Sequence, residues 1–203
     1  MTHASINTVV GGVLELDGFV AHKGRRVWRR ERDGFLEEVS LQLSPKLDEA
    51  TINFDIRHEV SRSRIHAVAG IGQSGGYFSL NHRIGELTDG QGRWWARSDL
   101  NAAKQAADLI CSEILPFFSH MRQVEPYIAE LSKVYGRERW TLVTPRLELA
   151  VLLHDRGDRE RALALLEHPH PRVGAPELER VASVRRLLTG KAPTGTGTRR
   201  VES

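Results

Sequence analysis

An α+β fold, with an antiparallel β-sheet packed with helices and an α-helical C-terminal hairpin region after it, is predicted by three patterns. Residues 39–44 and 51–57 alternate apolar and polar side chains at period two, as strands with one buried face do. The turn between them, Pro45-Lys46-Leu47-Asp48-Glu49, is short and polar, which makes the pair antiparallel. Residues 98–118 and 144–188 instead repeat apolar side chains at helical intervals.

Taken in order, Ile6, Val9, Val10, Val13, Leu14 and Leu16 give a helix from Ile6 to Leu16 that stops at Asp17-Gly18, although Gly11 and Gly12 weaken it. Phe19 to His22 and Arg26 to Arg32 read as strands flanking a tight turn at Lys23-Gly24-Arg25, and Asp33-Gly34 signals the next turn. Strands then follow at Val39–Ser44 and Thr51–Arg57. His58 and His66 are assigned to a loop, and the run Gly70 to Gly76 to a mobile loop before Tyr77-Phe78-Ser79-Leu80. Ser98-Asp99 caps a helix whose apolar stripe is Leu100, Ala103, Ala106, Ala107, Ile110, Ile114 and Leu115. A short helix covers Val124 to Val134, another starts at Thr144-Pro145 and breaks at Arg156-Gly157-Asp158, a third ends before Pro169 and Pro171, and a last runs from Pro176 through Leu188. Lys191 to Ser203 have almost nothing to bury and are expected to be disordered.

Three regions result: an α+β domain over 1–135, a helical extension over 136–190 and a tail over 191–203. In the extension, residues 149–153 and 162–166 flank Gly157-Asp158 in the manner of one tetratricopeptide hairpin. A single unit of that kind is expected to pack as a cap on the domain before it.

Composition narrows the functional classes. Hydrophobic residues at 40% and charged residues at 27% of 203 exclude collagen, long coiled coil and wholesale disorder. No apolar stretch approaches the roughly 20 residues a membrane-spanning helix needs, so no membrane partner is expected. The net charge of +3 nominates no partner class. The start lacks the features of a secretory signal, and Cys111, the single cysteine, lies on an apolar helix face and is expected to be buried; a cytoplasmic location fits both. The nine histidines show no metal-ligand spacing and no phosphate loop or nucleophile elbow is present, so neither a metal nor a cofactor is expected.

Two clusters stand out as candidate binding residues. Lys23, Arg25, Arg26, Arg29, Arg30 and Arg32 crowd around Trp28. On a strand, Arg26, Trp28 and Arg30 share a face and could dock an acidic protein, or contact phosphates while Trp28 stacks on a base. The second cluster is His82, Arg83, Glu86, Trp94 and Trp95. Arg83 and Glu86 are spaced to pair on a helix, and the two tryptophans suit one core anchor and one rim or partner contact. As an active site this cluster would use His82 as acid, Arg83 as anion holder and Glu86 as base. The polar strand face of Ser40, Gln42, Asn53, Asp55 and Arg57 contains groups able to bind a ligand, although alternating polar residues are what any solvent-facing antiparallel sheet shows.

The run of Gly18-Phe19, Lys23-Gly24-Arg25 with Trp28-Arg29-Arg30, Leu41-Gln42-Leu43-Ser44, Ile52-Asn53-Phe54, Arg83-Ile84-Gly85-Glu86-Leu87, Trp94-Trp95 and Leu115-Pro116-Phe117-Phe118 resembles the bacterial domain-of-unknown-function family 4304. The resemblance spans residues 12–135 and is most specific at Arg83 to Leu87 with the tryptophan that follows. It implies antiparallel strands with packed helices and brings no activity, cofactor or catalytic residue with it. The expected function is a non-catalytic protein-protein interaction module with an unidentified protein partner; the alternative is nucleic-acid binding through Lys23 to Arg32.

Overall fold

The computed structural model describes residues 5–22, 26–69, 79–136, 143–167 and 174–190. The turn expected at Lys23-Gly24-Arg25, the Gly70 to Gly76 loop, Tyr77-Phe78, the prolines at 169 and 171 and the tail from Lys191 lie outside these residues. The fold class is α+β, with strands in one antiparallel sheet. The chain divides into two compact units, one of residues 1–60 with 77–136, the other of 61–76 with 137–203. The described residues 61–69 fall in the second of these units.

In the first unit, α1 (Ile6–Leu16) leads to β1 (Val20–His22), β2 (Val27–Arg32), β3 (Phe35–Leu43) and β4 (Glu49–His58), an up-and-down sequence of antiparallel neighbours. Asp33 and Gly34 both have positive φ, 53° and 81°, as the two centre positions of a two-residue hairpin turn demand. β5 (Leu80–Arg83) and β6 (Trp95–Ala96) pair with successive parts of β4, and α3 (Ile84–Leu87) lies between them in sequence. The remaining helices of the unit are α4 (Leu100–Leu109), a π-helical turn at Ile110–Ile114, α5 (Leu115–Met121) and α6 (Val124–Gly136). Asp99 caps α4 by accepting a hydrogen bond from the Asn101 amide at 2.8 Å.

The alternation read along β3 and β4 decides what each sheet face carries. Trp28, Val39, Leu41, Ile52, Phe54, Ile56 and Leu80 are buried with Val10 and Leu14 of α1 and Ala106, Ile110, Ile114 and Phe118 of the later helices. Phe54 meets Phe118 edge-on at 6.0 Å between centroids, and Phe35 meets Tyr127 of α6 at 5.1 Å. Cys111 is exposed, which corrects the expectation of burial. It falls at i, i+4, i+7 spacing with the exposed Lys104 and Asp108, off the stripe through Ala103, Ala107, Ile110 and Ile114.

The two glycines of α1 have different surroundings. A Cβ on Gly11 would sit 3.1 Å from Cζ2 of the fully buried Trp28, whereas one on Gly12 meets nothing within 4 Å. Gly11 therefore lets α1 approach the indole. Gly12→Ala is expected to stabilise the chain by about 0.5–1 kcal/mol through helix propensity. Gly11→Val is expected to destabilise it by about 1–3 kcal/mol through overpacking. Urea unfolding midpoints of the two variants check both signs.

One helix was not expected. α2 (Glu59–Ala69) occupies the segment read as a loop around His58 and His66. Its sequence buries only Ser61, Arg62 and Ile65, so the apolar periodicity that marks other helices is nearly missing. In the second unit, α7 (Val143–Asp155), α8 (Arg159–Glu167) and α9 (Ala175–Thr189) pack together. Residues Leu147 and Leu149 to Leu153 of α7 are all buried, and Gly157 takes φ +84° at the α7–α8 turn. Arg64 of α2 forms an ion pair with Asp155 of α7. Among the described residues no helix is long and apolar enough to cross a membrane.

Candidate functional site

The basic segment on β2 is largely consumed within the fold. Trp28 is 1% exposed, so its ring faces the core and presents no surface on which a base could stack. Arg30 shares that buried face as alternation requires, and Nε donates to Glu37 Oε2 at 2.8 Å while Nη1 donates to the Asp17 carbonyl at 2.7 Å. Its guanidinium carbon also lies 4.3 Å from the centre of the Phe19 ring. Arg29, on the opposite face, donates through Nε to Glu38 at 2.5 Å. Both pairings follow from the hairpin register, which sets Arg29 opposite Glu38 and Arg30 opposite Glu37. Of the described arginines in this cluster, Arg26 and Arg32 are exposed, whereas Arg29 and Arg30 are not. Lys23 and Arg25 lie outside the described residues.

The second cluster is brought together, though not by the pairing its spacing suggested. Arg83 does not meet Glu86. It ends β5 opposite Asn53 of β4, and its guanidinium lies on the sheet's polar face. There Nε donates to Asn53 Oδ1 at 3.4 Å and Nη2 to Gln42 Oε1 at 3.1 Å, while Asn53 Nδ2 donates to the same Gln42 oxygen at 3.1 Å. The guanidinium carbon stands 5.8 Å from the ring centre of Trp94. Trp94 is 38% exposed and Trp95 is buried, where it pairs with Ala50 through β6. Glu86 accepts from Nδ1 of His82 at 3.0 Å. The His82 ring stacks on Phe54 at 5.5 Å and meets Phe117 edge-on at 5.2 Å. Its Nε2 is buried and finds no hydrogen-bond partner among the described residues, which fits the tautomer with the proton on Nδ1.

Beside Arg83 a cavity of about 260 Å³ opens, lined by Asn53, Asn81, Arg83, Gly85, Glu86, Gly90, Gln91 and Gly92. Its far wall is the 88–92 turn, which folds back on Gly85. The Gly85 carbonyl accepts from the Gly90 amide at 2.8 Å and from the Thr88 amide at 3.3 Å, and Gly90 has φ +76°. A Cβ on Gly85 would lie 1.6 Å from the Gln91 carbonyl oxygen, so only glycine permits this closure. Gly85→Ala is expected to push the turn off, costing about 1–3 kcal/mol and opening the cavity wall. Thermal unfolding with amide exchange at residues 88–92 checks it: faster exchange confined to that turn is the expected result.

Asp55, one residue pair along the same face, is buried and accepts from the Asn81 side-chain amide. Burial pushes its carboxyl up to about 7, with Glu38 acting in the same direction and the Asn81 and Arg29 interactions opposing. Asn81 thus touches both this carboxyl and the cavity.

The electrostatics distinguish Arg83 from the arginines of β2. Among the described residues it makes no ion pair; its hydrogen-bond partners are neutral amides. His82 is not among the groups lining the cavity, so the acid, anion holder and base of the catalytic reading do not converge there; Arg83 and Glu86 do. Among the described residues no group of His, Cys, Asp and Glu could hold a metal ion. Sequence reasoning places Gln42 and Asn53 on a polar strand face able to bind a ligand but does not join them to Arg83, and it misses Asn81 and Gln91; the cross-strand neighbours of Arg83 were the available signal. No family model, curated protein or solved structure matches the chain.

Proposed function

We propose that the chain is a cytoplasmic, non-catalytic protein-protein interaction module whose partner docks on the surface around Arg83, Trp94 and the 88–92 turn. The observation that carries this reading is the combination of an arginine with only neutral partners among the described residues, an exposed indole beside it and a small polar cavity that the arginine lines. Arginine and tryptophan are enriched among residues that dominate binding energy at protein interfaces. A cavity of about 260 Å³ falls below the ~300–1,000 Å³ of pockets for drug-sized ligands, and suits one residue of a larger partner. Membership of the bacterial domain-of-unknown-function family 4304 belongs to this reading and rests on the sequence resemblance over residues 12–135; within its Arg83–Leu87 stretch, Gly85 makes room for the Gln91 carbonyl and Glu86 accepts from His82.

Nucleic-acid binding through Lys23 to Arg32 has weaker support, because Trp28 is sealed in the core and Arg29 and Arg30 are neutralised by Glu38 and Glu37. Capture experiments separate the two. A partner retained by wild type and by Arg26→Ala, lost with Arg83→Ala and Trp94→Ala, and indifferent to nuclease is the expected result. Retention that vanishes with nuclease or with Arg26→Ala alone would transfer the function to β2.

A further inference from the structure

Resting on that reading, we infer that the cavity beside Arg83 receives the C-terminal residue of the partner chain, with its α-carboxylate on the Arg83 guanidinium. Three observations converge. First, the engaged donors of Arg83 are Nε and one N–H of Nη2, which leaves Nη1 uncommitted among the described residues and able to join Nη2 in a forked contact to a carboxylate. Second, the same small cavity carries a carboxylate, Glu86, more than half exposed. An occupant must therefore offer an N–H donor close to its anionic group. An acidic side chain ends its carboxylate on an aliphatic stem with no donor beside it, whereas a chain terminus carries its own amide N–H next to the carboxylate. Third, Gly90 and Gly92 line the cavity with open space or only an ordinary contact where a Cβ would be, so that wall lacks side chains where a main chain would approach. Capture of a terminal carboxylate by backbone-lined concavities is a recurring recognition mode.

The test uses the full chain and a library of random hexapeptides tethered through their N-termini, prepared once with free C-terminal carboxylates and once as C-terminal carboxamides. Retention on the carboxylate arm at least tenfold above the carboxamide arm is expected. It should fall to the carboxamide level with Arg83→Gln and with Gly92→Leu. The second variant guards against misfolding, since a Cβ at the exposed Gly92 meets only Trp94 Nε1 at 3.9 Å, an ordinary contact. Equal retention on both arms that still depends on Arg83 and favours peptides with internal Asp or Glu would overturn the terminus inference while leaving the docking surface intact. Retention on neither arm would also overturn it, and the capture experiment with the Arg83 and Trp94 variants would then decide the docking surface separately.

Discussion

Replacing Glu37 with alanine is expected to lower the unfolding free energy by about 3–5 kcal/mol, as removal of one member of a buried ionic network does. Glu37 has no exposed side-chain surface. It accepts from Arg30 Nε at 2.8 Å through one oxygen and from Arg122 Nη1 at 2.8 Å through the other. Those contacts join β2, β3 and the end of α5, and Arg30 extends them to Asp17 after α1. Deleting the carboxylate strands two guanidinium groups that are 7% and 13% exposed. Asp17 and Asp33 hold one edge of each and restore only part of the loss. Glu38→Ala breaks a single, more solvated pair with Arg29, and about 1 kcal/mol or less is expected there. Urea unfolding of the two variants supplies the contrast. Equal costs would mean that the Glu37 network is not what ties the sheet to its helices.

The second large effect is a pH dependence centred on Asp55. Its folded pKa, about 7, lies above the ordinary 3.8, because burial favours the neutral acid. Between those values the native chain keeps a proton that the unfolded chain gives up, so the slope of stability against pH is negative. The contribution is fully present below pH 3.8 and is lost as pH rises through about 7. Across that window it amounts to something on the order of 4 kcal/mol, with each unit of displacement worth about 1.4 kcal/mol. Asp55→Asn keeps the shape and a polar contact to Asn81 but has no proton to lose. The variant is therefore expected to match wild type at pH 4 and to exceed it in stability at pH 8. A difference that does not grow with pH would show that Asp55 is ionised in the native chain throughout. Because the Asn81 amide donates to the Asp55 carboxylate and favours its ionised form, the amide's orientation beside the cavity is expected to be better fixed at high pH.

Much of the first unit was legible because local signals agreed. The α1 stripe and its stop at Asp17-Gly18 return Ile6–Leu16 as written, and period-two alternation plus Asp33-Gly34 return the β2–β4 meander. Where a segment buries little, the signal fails: α2 shows almost no apolar stripe, so its sequence carries little to mark it as a helix. The charge cluster was visible but its meaning was not. Counting outward from the two-residue turn places Arg32 opposite Phe35, Arg30 opposite Glu37 and Arg29 opposite Glu38, so the internal ion pairs were accessible to register arithmetic that charge counting ignores. The cavity was harder to see. It depends on strands distant in sequence, which place Asn53 and Asn81 beside Arg83, and on a turn that closes only because Gly85 lacks a Cβ.

The docking claim is tested most directly by photo-crosslinking from two positions. A benzophenone amino acid, whose aromatic ring keeps at position 94 the flat surface that Trp94→Ala removes, is placed at Trp94 in one chain and at Arg26 in another, and each is irradiated with the captured partner. The account predicts crosslinks to the partner from position 94, mapping near its C-terminus, and none above background from position 26. Crosslinks from position 26 with none from position 94 would contradict it and return the binding surface to the β2 strand.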